Sequence, residues 1–207
     1  MSQLLLIFTK NPVLGKVKTR LAATVGDAEA LQIYRILLEK TRRAALDVEA
    51  ERWLFCSDFL EPDDDWPESH FQKFLQSGAG LGERMENAFR QAFDSGAGKV
   101  AIIGCDCPDL NGTLLQEAFQ RLNEADFVLG PATDGGYYLL GMKHLEASLF
   151  RDMEWSTPVV SAETLGRIRA LGKSCFLLPE LTDVDTEEDW RRHAVVTPSV
   201  RRRKIYI

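Results

Sequence analysis

Val100-Ala101-Ile102-Ile103-Gly104-Cys105-Asp106-Cys107-Pro108-Asp109-Leu110 runs from an unbroken apolar stretch straight into an acidic loop. A short continuous apolar run bounded by glycine reads as a strand covered on both faces. Pro108 keeps the residue before it out of helical geometry, so the chain cannot turn at once into a regular helix. Asp106 is therefore held in a turn, its carboxylate at the carboxyl end of a buried strand. Asp109 is open to reading as a second ligand, but reads better as the N-cap of the next helix, which carries Leu114, Leu115, Ala118, Phe119 and Leu122.

The same strand-then-polar-loop grammar recurs in both directions. Upstream, Leu4-Leu5-Leu6-Ile7-Phe8 precedes Thr9-Lys10-Asn11-Pro12-Val13-Leu14-Gly15-Lys16-Val17-Lys18-Thr19-Arg20-Leu21. Downstream, Phe127-Val128-Leu129 leads to Thr133-Asp134-Gly135-Gly136-Tyr137-Tyr138, and Cys175-Phe176-Leu177-Leu178 leads to Asp183-Val184-Asp185-Thr186. Shorter strands are predicted at 52–56 and 71–75. Helical spacing marks 27–45, the stretch with Met85, Ala88, Phe89 and Phe93, 162–171, and 187–194 with Thr186 ahead of Asp189 as a capping pattern. Strands alternating with helices indicate an α/β fold with a mostly parallel sheet, here a three-layer Rossmann-like arrangement. Tyr137-Tyr138-Leu139-Leu140-Gly141 follows a Gly-Gly turn and breaks the alternation, which predicts a mixed sheet.

Composition sets the frame. The 207 residues, 45% hydrophobic and 27% charged, suit a single domain over 1–207. A net charge of −6 argues against nucleic-acid binding. The one basic block, Arg201-Arg202-Arg203-Lys204, reads as a solvated tail. The N-terminus lacks the basic start and cleavage site of a signal peptide, and no run is long enough for a membrane span. The expectation is a cytoplasmic protein whose four cysteines stay reduced. The three histidines are scattered, and His144 and His193 read as surface residues. Oligomeric state leaves no signal.

In open α/β sheets ligands bind beyond the carboxyl ends of the strands, where the notable polar residues fall. Gly15 allows a tight turn, and Lys16, Lys18 and Arg20, if extended, alternate onto one face able to clamp a diphosphate. Thr9 and Lys10 open that loop. It is not a Walker A loop. Gln76-Ser77-Gly78-Ala79-Gly80-Leu81-Gly82 lacks dinucleotide-fingerprint spacing. It reads either as a turn entering a helix or as a ligand-covering loop in which Gln76, Gly80 and Arg84 meet a phosphate or sugar. Asp185 alone reads as a cap. Paired with Asp106 it reads as a ligand of Mg2+ or Mn2+, which accept two carboxylates together with substrate phosphates and water. Asp134 lies in an Asp-Gly hairpin turn, where it could orient an acceptor hydroxyl or act as base. Trp155-Ser156-Thr157-Pro158 is a lesser candidate for an acceptor wall.

Lys18-Thr19-Arg20-Leu21, Gly104 to Pro108, Gly130 to Tyr138 and Asp183 to Thr186 together resemble a bacterial family of small glycosyltransferase A-type proteins found beside radical-enzyme and arsenosugar genes. That family resembles a branch of the nucleotide-diphospho-sugar transferase superfamily, which includes molybdenum cofactor and phospholactate guanylyltransferases. The resemblance spans Leu4 to about Trp190. It implies a nucleotide-binding α/β domain with a divalent metal on Asp106. Asp185 matches the aspartate of an Asp-Thr-x-Glu-Asp element that completes the metal site, and Lys18 and Arg20 match the basic first loop. Two departures stand out: Phe8-Thr9-Lys10-Asn11-Pro12 replaces the Leu-Ala-Ala-Gly opening of pyrophosphorylases, and no strict D-x-D is present.

The resulting expectation is a metal-dependent transferase moving a sugar from a nucleotide donor to a small-molecule acceptor. Lys18 would stabilise the leaving charge and Asp134 would face the acceptor. A nucleotidyltransferase condensing a nucleoside triphosphate with a phosphorylated metabolite is the alternative, and a non-catalytic nucleotide-binding protein the second.

Overall fold

Seven strands form one sheet in the order β3-β2-β1-β4-β6-β5-β7. They are β1 (Gln3–Thr9), β2 (Glu51–Cys56), β3 (Gln72–Leu75), β4 (Lys99–Ile103), β5 (Phe127–Pro131), β6 (Tyr137–Met142) and β7 (Cys175–Leu177). The computed structural model describes residues 2–196, with side chains described through His193, so the basic block at 201–204 lies outside it. β6 runs antiparallel to both β4 and β5, and every other pairing is parallel. The mixed sheet expected from the Gly-Gly turn is therefore observed, with one reversed strand.

The continuous apolar run of β1 has the reason anticipated for it. Leu5 and Ile7 face Tyr34 and Leu38 of α2 (Asp27–Leu46) and Leu115 and Phe119 of α4 (Gly112–Arg121). Leu4 and Leu6 face Met85 and Phe89 of α3 (Leu81–Asp94) and Ile168 of α5 (Val160–Ala170). Helices thus cover both faces, giving three layers. Each such leucine or isoleucine contributes about 1.5–3 kcal/mol by burial. A third cluster joins Leu21 of α1 (Thr19–Val25) to Ile33 and Leu37 of α2 and to Val184, with Trp190 of α6 (Glu187–Val196) against it. This cluster brings the first loop and the Asp183–Thr186 segment together.

Three expectations need correction. Lys16, Lys18 and Arg20 do not share an extended face, because the chain turns at 13–16 and enters α1 at Thr19. Burial of Leu21 drives this, since a helix lets it reach α2 while Arg20 turns outward, its side chain 76% exposed. Helix α4 is capped by Asn111, whose Oδ1 accepts from the Leu114 amide at 3.1 Å. Asp109 is excluded from that role because the buried side chain of Leu110 fixes the chain one residue before the cap. His193 is not a surface residue: its ring lies with Nε2 2.8 Å from Lys40 Nζ and Nδ1 3.3 Å from Asp109. Burial, then the charge of Lys40, holds its pKa below the usual imidazole range.

Among the described residues, no helix is long and apolar enough to cross a membrane.

Candidate active site at the strand ends

The chain leaves β1 for β2 on one side, while β4 lies on the other, so their carboxyl ends part at a topological switch point. Ligand crevices in open α/β sheets form at such points. Into this one come residues from three distant parts of the chain.

Lys18 arrives from β1. The amide of Lys16 donates to the Val13 carbonyl at 3.0 Å across a turn whose third residue, Gly15, has φ 72°. Glycine suits that left-handed position. Buried Val17 then anchors the loop, and Lys18 takes φ 49°, ψ 45° as N-cap of α1, its carbonyl accepting from the Ala22 amide. Left-handed backbone is uncommon for a non-glycine residue and concentrates at functional sites. The turn drives the Lys18 side chain inward until it is 5% exposed.

Asp106 arrives from β4 and Asp185 from the segment after β7. Lys18 Nζ lies 2.5 Å from Asp106 Oδ1 and 3.4 Å from Asp185 Oδ1, and Arg20 Nη1 lies 3.5 Å from Asp185 Oδ2. Backbone fixes the pair: the Val184 amide donates to the Asp106 carbonyl at 2.9 Å. A reciprocal capping box sets Asp185. The Asp189 carboxylate accepts from the amides of Asp185 and Thr186, while the Asp189 amide donates to Thr186 Oγ1.

Asp183 was a supporting residue in the sequence and is more central here. Burial pushes its pKa up to about 6, and the charges of Asp106 and Asp134 push the same way, against the Cys107 thiol and Lys18. Asp134 itself is exposed, with Oδ1 accepting from the Gly136 amide at 2.8 Å. Its turn is seated tightly. Gly135 has φ 89°, and a Cβ there would lie 2.0 Å from the Pro158 carbonyl oxygen. Thr133 ties the turn to Leu181 and Thr182, just before Asp183. Trp155, from the proposed acceptor wall, packs edge-on against Tyr137 at 6.4 Å.

The remaining candidates lie around the ends of β1–β3. Gln76 Nε2 donates to the carbonyls of Thr9 and Phe55, and Gln76 Oε1 accepts from Arg84. Arg84 Nε also donates to the Gly78 carbonyl. These two side chains tie strand ends together. Thr9 Oγ1 is bonded to the Tyr34 hydroxyl, while Lys10 and Lys16 are exposed. Gly80 is the extended N-cap of α3, with open space where a Cβ would stand. The sequence reading missed Tyr34 and Asn11. Tyr34 OH donates to the Lys10 carbonyl and accepts from its amide. Asn11 is buried and bonds the backbone of Asp58 and Phe59. Beside them is a cavity of about 210 Å3 under Lys10 and Pro12, walled by Arg35, Arg42 and Trp66. An isolated polar residue in a loop was the sole sequence signal for Asn11, and Tyr34 looked like one more apolar helix position.

Among the described residues no group of three or more His, Cys, Asp or Glu forms a metal cage. The two carboxylates do converge on one cation, the Lys18 ammonium, at 2.5 Å and 3.4 Å.

Residues 40–157 match the family described as "Uncharacterized protein conserved in bacteria (DUF2064)". The chain belongs to that family. A "putative nucleotide-diphospho-sugar transferase" from Desulfovibrio desulfuricans G20 is 33% identical, with TM-score 0.87 over 98% of this chain and 91% of that one. The fold is thus that of the nucleotide-diphospho-sugar transferases. CMP:2-keto-3-deoxy-manno-octonic acid synthetase complexed with CTP is 12% identical, TM-score 0.57, over 95% and 98% of the two chains. The Rv0371c complex with manganese from Mycobacterium tuberculosis is also 12% identical, TM-score 0.55, over 93% and 97%. No curated protein matches this DUF2064 sequence.

Proposed function

We propose that the protein is a metal-dependent transferase that takes a nucleotide-activated sugar as donor and passes the glycosyl group to a small-molecule acceptor. The observation that carries this is the meeting of Lys18, Asp106 and Asp185 at the switch point, from three strand ends. Asp106 and Asp185 would hold Mg2+ or Mn2+, with phosphate oxygens and water completing its shell. The ion would supply charge neutralisation to a departing diphosphate. Lys18 and, from the rim, Arg20 stabilise the same charge by direct contact with phosphate oxygens. Asp134, exposed on a glycine turn seated against Pro158, faces the acceptor and accepts its proton.

The likeness to the CTP-bound synthetase favours a second reading, a nucleotidyltransferase that joins a nucleoside triphosphate to a phosphorylated metabolite. Lys18 would then act at the α-phosphate. Product analysis separates the two. Sugar transfer releases a nucleoside diphosphate or monophosphate from a nucleotide sugar, whereas nucleotidyl transfer releases pyrophosphate from a triphosphate. A broad screen that yields neither product with Mn2+ present would leave a nucleotide-binding protein without turnover. A thermal-shift survey of diphosphates, triphosphates and nucleotide sugars with Mn2+ selects the candidates for that assay.

A further inference from the structure

Lys18 stands where the proposed metal would stand. Its ammonium lies 2.5 Å from Asp106 Oδ1 and 3.4 Å from Asp185 Oδ1, so the one atom engages both candidate ligands. The side chain is 5% exposed and is aimed inward by left-handed backbone at the start of α1. It therefore cannot relax into solvent as a surface lysine does. Arg20 also touches Asp185, but from outside, at 3.5 Å and largely exposed, and so can swing away. A divalent ion and an ammonium sharing the same carboxylate oxygens repel each other.

We propose that Lys18 and the divalent cation exclude one another at Asp106 and Asp185. Lys18 is a built-in counter-ion that neutralises the two carboxylates until a diphosphate draws its ammonium away. This rests on the reading of those aspartates as metal ligands and adds an order to it. The free protein has low affinity for metal, and metal and diphosphate bind together. By linkage, each raises the other's affinity by the same factor. Lys18 thereby keeps the site from filling with metal that has no nucleotide to work on.

The test is calorimetric titration of Mn2+ alone into the full chain. Lys18→Met should bind Mn2+ at least about tenfold more tightly than wild type, as expected when a competing charge leaves shared oxygens. Arg20→Met removes an equal charge that does not occupy the site, and its exposed position limits the gain to within about threefold. Lys18→Gln, close to the native length and neutral, should follow Lys18→Met and serves if the methionine variant folds poorly. Unchanged or weaker Mn2+ binding by the folded Lys18 variants overturns the exclusion while leaving the metal reading intact. So does an equal gain in Arg20→Met, which would make the effect one of net charge. Absence of Mn2+ binding in wild type and Lys18 variants alike, with nucleotide and without, removes the metal reading and this inference together.

Discussion

Two charge clusters in this molecule are mirror images. At the strand ends, one buried lysine, Lys18, lies between two carboxylates, Asp106 and Asp185, that are 50% and 41% exposed. On the α3 face, one buried carboxylate, Glu86, lies between two guanidiniums, Arg90 and Arg151, that are 48% and 64% exposed. The contacts differ in completeness. Arg151 grips Glu86 with two parallel bonds, Nε to Oε2 at 3.1 Å and Nη2 to Oε1 at 2.8 Å, and Arg90 adds a third at 2.6 Å. Forked pairs of this kind saturate a carboxylate. Asp106 has a single close contact, and both contacts to Asp185 are long. The Glu86 cluster spends its acceptors on the fold, and the Lys18 cluster keeps acceptors in hand. Spare, solvent-reachable acceptor capacity around a buried cation is the property that the proposed site has and the Glu86 brace lacks.

The largest effect is expected where this contrast is sharpest. Asp106→Ala should abolish Mn2+-dependent nucleotide binding in calorimetry, with some loss of thermal stability because the buried Lys18 ammonium loses its closest partner. Unchanged affinity would place Asp106 with the braces. Gly135→Ala should come next, since its φ of 89° and the Pro158 carbonyl leave no room for a methyl group. A cost on the order of 3 kcal/mol in denaturant unfolding is expected, with turnover falling more than nucleotide affinity. A harmless Gly135→Ala would detach the Asp134 turn from the site. The smallest effect belongs to the brace. Glu86→Gln should lower stability by about 1–2 kcal/mol near neutrality and leave nucleotide binding alone. Its pH dependence has a definite sign. Hydrogen bonding from Arg151 holds the folded pKa of Glu86 below its usual value, against burial. The unfolded chain therefore binds the extra proton first, and the stabilisation is fully present above the ordinary glutamate pKa of about 4.3. It is lost as pH falls through that value towards the lower, folded one. The gap between wild type and Glu86→Gln should close over that interval, as read by urea midpoints, and a gap that persists at lower pH would show that packing rather than charge is at stake.

How far these clusters were legible in the sequence follows from how local their causes are. β4 and the capping box at Thr186 and Asp189 are each written within a few consecutive residues and each is found in place, whereas the turn expected at Asp106 falls two residues later, at Pro108 and Asp109. The reversed strand β6 was announced by its two glycines. Helix α1 was not legible: it is seven residues long and starts on a left-handed lysine, for which no residue pattern stands. Asp109 and Asn111 are equally good caps by type, and only the burial of Leu110 decides between them. The Glu86 brace was hidden for another reason. Arg90 is one helical turn away, but Arg151 is 65 residues away and is brought to it only by tertiary packing.

The Val184-to-Asp106 bond has one more consequence. It belongs to the main chain, and Val184 is itself sealed in apolar packing. The gauge between the two carboxylates is therefore cut into the backbone and owes nothing to the carboxylates. Exchanging either acid for asparagine, which has the same length, should leave the two attachment points where they are. The backbone thus sets where these two side chains start, whatever they go on to hold.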